Sequence, residues 1–527
     1  MGYQRLTSRA FVPRFAWVVT AASAVALGSP ATAFADEPRK VTEPAVMREP
    51  TEMVQVADAF DDDDLFDLHL SLGYSHTWKN AKIYRETNIS QPGLSTGDFT
   101  PSNMNVAKYQ QDVARLHTRA DIGIYKDIAL VIRMPVILSD DRELKQNGGG
   151  LQSTTLAGAP GEQVFQLPFK SPSRSGIEYL AIGMDFGLMN QARNPNKPTW
   201  VLGGEVRVNV SEPMHACNGS PANLNQAPAQ GQVKCAYAHD MNRDGVAGQV
   251  STSDTGVPGQ TLKLDEGTSG QREPGVGRGT TGLAIHTFLS RRVKYIEPYG
   301  GFDVLFEFPS GDSDYHSTDL KGSLVNHPPL RGTMTVGIAV IPWEIRDAFQ
   351  RLTIDGRFQG SYISEGRDYS ELFDALGSSD APTLRAPQFS DYMANPVTAA
   401  ANTYPSVADP SSQKVYFTGL TDVQQHGEYT FTVSTTYQAG EYVKFNVGGS
   451  YTLVQGHFIT FDQACNPDFS NNAAQMGPCR TGDAIDGYSA TGIPNPNYRK
   501  VINDPGRRFK VDDVNGLDAW IRATVMF

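Results

Sequence analysis

RLHTRADIGIYKDIALVIRMPV, residues 115–136, holds two runs of alternating polarity joined by two residues. Leu116, Ala120, Ile122 and Ile124 alternate with Arg115, His117, Arg119 and Asp121. After Lys126-Asp127, Ile128, Leu130, Ile132, Met134 and Val136 alternate with a row that contains Arg133. Period two marks a strand whose faces meet different surroundings. A two-residue connection returns the second strand antiparallel to the first.

Ten more runs of this kind lie outward of the pair. Phe66, Leu68, Leu70, Leu72 and Tyr74 alternate with Asp67, His69, Ser71 and Gly73. Leu180, Ile182, Met184, Phe186 and Leu188 stand against Glu178 and Asp185, and Leu202, Val206, Val208 and Val210 against Glu205, Arg207 and Asn209. Further runs cover 281–290, 293–306, 331–342, 350–363, 427–438, 441–454 and 510–527. Each is about 10–14 residues long, beyond the ~5–6 of a soluble strand and matched to the ~9–11 of a tilted membrane strand.

The connections sort by length. Short ones fall at Lys126-Asp127, Asn190–Pro198, Arg291-Arg292, Trp343–Phe349 and Ala439-Gly440. Between them lie long ones of about 34, 37, 70, 24, 63 and 55 residues, in strict alternation. A sandwich or propeller has no reason to sort its loops this way. The reading is all-β: a closed antiparallel transmembrane β-barrel of about twelve strands, with short periplasmic turns and long extracellular loops. An even strand number lets the first and last strands pair, leaving no open edge in lipid.

Three segments follow. Residues 1–35 read as a signal peptide: Arg5, Arg9 and Arg14 precede an apolar stretch from Phe15 to Leu27, and Ala33-Phe34-Ala35 is a small-x-small cleavage site. Residues 36–64, rich in proline and acid and ending in Asp61–Asp64, read as a disordered periplasmic lead. Residues 65–527 form the barrel. Removing the signal takes the formal charge from −12 to about −15, which argues against nucleic acid as a partner. The four cysteines lie as two local pairs, Cys217 with Cys235 and Cys465 with Cys479, and read as two disulfides of an exported chain.

The C-terminus, Ala519-Trp520-Ile521-Arg522-Ala523-Thr524-Val525-Met526-Phe527, resembles the assembly signal of Gram-negative outer-membrane proteins. Those chains typically end in Phe, with apolar residues at alternate positions behind it. Phe527, Val525 and Ile521 fit; Ala519 and Ala523 are smaller than usual, and the Tyr often found further back is missing. The resemblance is to the porin-like and transporter-like class and names no specific family. It implies the bacterial outer membrane, contact with its lipid, and recognition by the barrel-assembly machinery through the strand ending in Phe527.

On this phase Arg115, Arg119, Asp121, Arg133, Glu178, Asp185, Glu205, Arg207, Asp355, Arg357 and Arg522 line the lumen, with Glu297, Asp303, Arg351, Lys444 and Asp518 on the same face. The signs nearly balance, which predicts weak ion selectivity in a narrow wet pore; salt-bridged ladders packing the lumen are the other reading. Twelve strands lie between the filled eight-stranded and the open sixteen-stranded barrels. Trp200 and Trp343 fall near the periplasmic rim, Trp78 and Tyr74 near the outer one.

Two loop motifs carry chemistry. Asp240, Asn242 and Asp244, followed by Gly245, match the first half of a calcium loop, with Ser251 where its bidentate Glu would stand. The site is either for Ca2+ or an acidic surface turn. Residues Asp368–Leu376, stopped by Gly377, read as a helix whose Leu372, Phe373 and Leu376 pack on the barrel rim or enter the lumen as a plug.

Three functions remain: passive passage of small solutes; a surface-exposed structural or adhesion barrel with closed lumen and partner-binding loops; and an outer-membrane lipase or protease. The last needs Ser and His oriented by a third group. The sequence has no His-x-Ser-Asn-like cluster, and His69, His117 and His286 face the lumen without an obvious Ser partner. The expectation is therefore a non-enzyme.

Overall fold

The computed structural model describes residues 49–60, 66–90, 99–147, 164–219, 234–235, 273–310, 313–315, 324–325, 327–379, 381, 384, 417–469, 479–483, 487–495 and 497–527. Chain contacts separate residues 1–40 from 41–527, and every described residue belongs to the second unit. The signal-peptide reading of 1–35 and the calcium reading of Asp240, Asn242 and Asp244 lie outside the described residues.

Twelve antiparallel strands close one barrel. They are β1 Leu68–Ser90, β2 Phe99–Tyr125, β3 Ile128–Gln146, β4 Leu180–Met189, β5 Thr199–Val208 and β6 Thr280–Ser290. The sheet continues through β7 Ile296–Pro309, β8 Arg331–Ile345, β9 Gln350–Ile363, β10 His426–Gln438, β11 Val443–Val454 and β12 Phe509–Met526. Each strand pairs with its sequence neighbours, and β12 closes on β1 from His69↔Met526 to Arg85↔Phe509.

Side chains facing outward are apolar and open: Leu72 is 55% exposed, Phe431 53%, Val433 63% and Ile521 57%. A band of such residues around the whole sheet is stable only against hydrocarbon. Among the described residues no helix is long and apolar enough to cross a membrane; the outward apolar band lies on the strands. Trp200 and Trp343 sit on strand ends at the short-turn rim, where Trp343 stacks on Tyr437 with centroids 6.2 Å apart. The outward surface of the barrel is that of a membrane-spanning sheet.

The first long connection differs from its sequence reading. In place of about 34 loop residues, β1 and β2 run on to Ser90 and Phe99 and leave only 91–98 between them. Beyond about Lys79 the alternation reverses. Ala81, Ile83, Val106, Ala107 and Tyr109 turn apolar surface inward, while Asn80, Lys82, Lys108 and Gln110 face out. Above the bilayer water bathes the outer face, so the apolar row must find a core inside the barrel. That core is a cap built by the long loops. It gathers Leu144, Phe165, Phe169, Leu372, Leu376, Leu384, Phe417, Ile459, Val501, Ile502 and Phe509.

The lead also differs. Residues 49–60 are ordered: they enter the short-turn end of the lumen, where Glu52–Val54 forms one 3-10 turn. The expectation of a disordered periplasmic lead over 36–64 therefore does not describe this stretch.

Candidate functional site

Inward positions at mid-height carry the charged side chains singled out from the sequence. Arg115 lies 3.0 Å from Glu178, and Arg119 Nε donates to both oxygens of Asp121 at 2.7 and 2.9 Å. Glu205 accepts from Arg133 Nε at 2.9 Å and from Arg207 Nε at 2.7 Å. Asp185 sits 3.0 Å from His286, and Tyr299 donates to Asp355 at 2.7 Å. Arg357 crosses from Gly337 to Thr432 in register, and Arg522 lies between Asn446 and Gly73. Most of these side chains are paired, and they are not packed dry. Arg119 and Arg522 each keep 36% of their side-chain surface accessible, and Arg133 34%.

The short-turn end is filled by residues 49–60. Met53, Val54 and Val56 pack on Val201 and Phe288, the inward apolar residues of β5 and β6. Thr199 Oγ1 donates to Glu49 at 3.0 Å, Thr51 N donates to Glu297 at 2.8 Å, and Lys444 donates to Gln55 at 3.0 Å. Ala59 bridges to Lys126 in the first short turn. Gly123 permits this approach: a Cβ there would overlap the Asp58 carbonyl. At this end Glu297 is fully buried and Arg351 nearly so.

At the opposite end the described residues of the ninth connection, joining β9 to β10, pack into the barrel mouth. Its stem is a small ladder, Gly366–Asp368 against Thr421–Val423. Beyond it a helix spans Phe373–Gly377, shorter than the sequence reading of 368–376 and including Gly377 as its last residue. Leu372 and Leu376 are fully buried against inward residues of β1 and β2 rather than resting on the outer rim. A buried ion pair fixes the helix. Arg174 donates to Asp374 through Nη1 at 3.0 Å and Nη2 at 2.6 Å, Nη2 also reaches His215 O at 3.0 Å, and Cys217 N donates to Asp374 at 3.0 Å. Such bidentate, multiply bonded pairs are directional as well as strong. Glu371 adds a 2.9 Å ion pair to Lys79 of β1. Burial raises the Glu371 carboxyl, but the Lys79 ammonium outweighs it and holds the group at about 2. The cysteines form the bridges Cys217–Cys235 and Cys465–Cys479, and the first lies beside the Arg174–Asp374 pair.

One contact was invisible in the sequence: Ser75 Oγ lies 2.8 Å from His117 Nε2. The two are not neighbours in register: His117 faces Gly73, and the long imidazole reaches diagonally. Gly73 pairs on its other side with Arg522, so a cation stands where a triad needs a carboxylate. His286 has the carboxylate, Asp185. Among the described residues no group of three His, Cys, Asp or Glu is arranged to hold a metal ion.

No family model matches this sequence, and no curated protein matches it. Solved structures with a similar strand arrangement include an outer membrane channel from Pseudomonas putida F1, at 7% identity over 87% of this chain and 95% of that one, with a TM-score of 0.31. A Pseudomonas aeruginosa FadL homologue is 9% identical over 92% of each chain, with a TM-score of 0.30. The outer membrane protease OmpT from Escherichia coli is 7% identical over 88% of this chain and 96% of that one, at 0.23.

Proposed function

We propose that this barrel passes small solutes passively through the outer membrane and that its own chain closes both mouths at rest. One observation carries the reading: a ring of charged side chains at mid-lumen stays water-accessible between two closures that are not part of the barrel wall. A barrel serving only as a scaffold gains nothing from a wet charged middle, since buried charge costs stability unless every partner is in place. The closures are segments held by side chains, and such segments can leave while the strand ladder stays intact. An enzymatic role gains little support, because the Ser75–His117 pair faces Arg522 rather than a carboxylate. The strand Phe509–Met526, which completes the barrel, is the part we take the assembly machinery to read.

The dense cap with its two bridges favours a second reading, a closed barrel whose outer face binds a partner. Planar-bilayer recording separates the two. The test protein lacks residues 36–60 and carries a short Gly-Ser turn in place of 369–420, which keeps the stem ladder. Stable conductance steps are expected from it and rare openings from the intact chain. A folded double variant without conductance would remove the channel reading.

A further inference from the structure

Glu52, a carboxylate of the inserted segment, stands among cations of the barrel wall. Arg522 Nη1 lies 3.2 Å from its Oε2 and Lys444 Nζ 4.0 Å from its Oε1. Arg119 and Arg357 also act on it through space. Register shows how the wall gathers them. Ser71 and Gly73 of β1 take Arg119 and Arg522 from the two flanking strands, Asn446 beside Arg522 lies two residues from Lys444, and Arg357 projects from β9. Four cations from four strands thus face one carboxylate of a segment that is not part of the wall.

The fit between them is incomplete. Glu52 Oε1 is buried with no hydrogen-bond partner, and so is Arg357 Nε. A buried donor and a buried acceptor left unmade together are costly. A tethered side chain cannot move to satisfy both, whereas a free solute can. Acids in reach of the same cations are already engaged: Asp121 by Arg119 Nε, and Asp355 by the Tyr299 hydroxyl. When the segment withdraws, positive charge remains in excess at this level.

We propose that Arg119, Arg357, Lys444 and Arg522 form an anion-binding station on the solute path, that Glu52 is its resident occupant, and that the solutes it takes are small carboxylates. This rests on the transport reading above. Arginine forks match carboxylate geometry, and charge focused in a low-dielectric channel raises the local concentration of the opposite sign. A carboxylate solute therefore binds where Glu52 sat and competes with the segment for the same nitrogens.

The experiment uses the doubly opened protein described above, with succinate as the probe. In a potassium chloride gradient its reversal potential is expected on the chloride side, and millimolar succinate is expected to reduce the current. A peptide spanning residues 49–60 should close the channel, and the same peptide with Glu52→Gln should need at least tenfold more. A second readout needs no current: succinate should raise the unfolding temperature of the protein lacking residues 36–60 above that in sodium chloride of equal ionic strength. Conductance that is cation-selective and indifferent to succinate overturns the station while leaving the channel. Thermal stabilisation without conductance keeps the station and overturns the channel. Should the deletion fail to fold, the full chain carrying Glu52→Ala, which empties the station, is measured for the same thermal shift, and its absence there refutes the station.

Discussion

Removing the carboxylate that pins the outer closure should open that closure and little else. In Asp374→Ala three donors lose their acceptor: Arg174 Nη1, Arg174 Nη2 and the Cys217 amide. The Arg174 side chain has no accessible surface, so its charge cannot turn to water. Breaking a buried pair from one side costs about 3–5 kcal/mol, because the remaining charge stays buried. At about 1.4 kcal/mol per tenfold, local opening should rise by roughly 140- to 4,000-fold. The reporters are the helix amides, Leu376 N to Leu372 O at 2.8 Å and Ser378 N to Asp374 O at 3.1 Å, followed by hydrogen exchange. Strand amides such as those pairing Thr432 with Ser450 should exchange as before. Replacing both partners, Arg174→Met with Asp374→Leu, removes the orphaned charge and should restore most of the protection. Unchanged exchange at Leu376 and Ser378 in Asp374→Ala would refute the latch. Equal acceleration at the strand amides would show that the pair holds the whole barrel instead.

Gly123→Ala places a Cβ on the Asp58 carbonyl, so amides of residues 54–59 should exchange at least tenfold faster while the barrel keeps its heat-resistant gel mobility; unchanged exchange would contradict the seating of the segment. Replacing Cys217 and Cys235 with Ser opens a loop of separation 18 and should weaken the cap by about 3 kcal/mol on a chain-entropy estimate, read as faster exchange at the Cys217 amide and the helix. The Glu371 carboxyl is depressed to about 2 in the fold from an unfolded value near 4, so its contribution is full above about pH 4 and is lost as pH falls toward 2. Protection of the helix amides, with the intrinsic exchange rate divided out, should fall through that window, and Glu371→Gln should abolish that fall.

Much of the barrel was legible because lipid imposes a rule along the whole strand. The last seven runs, 281–290 through 510–527, match strands from Thr280–Ser290 to Phe509–Met526 within a few residues. The rule fails above the membrane. In β1 beyond Lys79 the row Ala81, Ile83 is still alternating, but its apolar side now faces the cap core and its polar side faces water. A search for apolar-out runs passes over such a reversal, and a long connection is read where two strands continue.

The closures were hidden for a different reason. Glu49–Asp58 is acid-rich and without period, and its order comes from partners on six strands or more, among them Val201, Phe288, Glu297, Arg351, Lys444 and Arg522. Nothing local in that segment specifies such a seat. The near balance of signs along the lumen likewise predicted weak selectivity, but a sum over strands loses the grouping of Arg119, Arg357, Lys444 and Arg522 around one carboxylate. Residues Leu372 and Leu376 did show their apolar face in the sequence; that it turns into the barrel mouth follows from the extension of β1 and β2.

The central claim is a wet chamber closed at both ends by withdrawable segments, and thiol labelling tests it most directly. All four native cysteines are paired, so Ser450→Cys places a single free thiol on the inward face of β11, opposite Thr432 and Asp518. The account predicts slow reaction with a dye-sized maleimide in the intact chain and reaction at least tenfold faster once either residues 36–60 are removed or 369–420 are replaced. Fast labelling of the intact chain, or slow labelling in both opened variants, would contradict it.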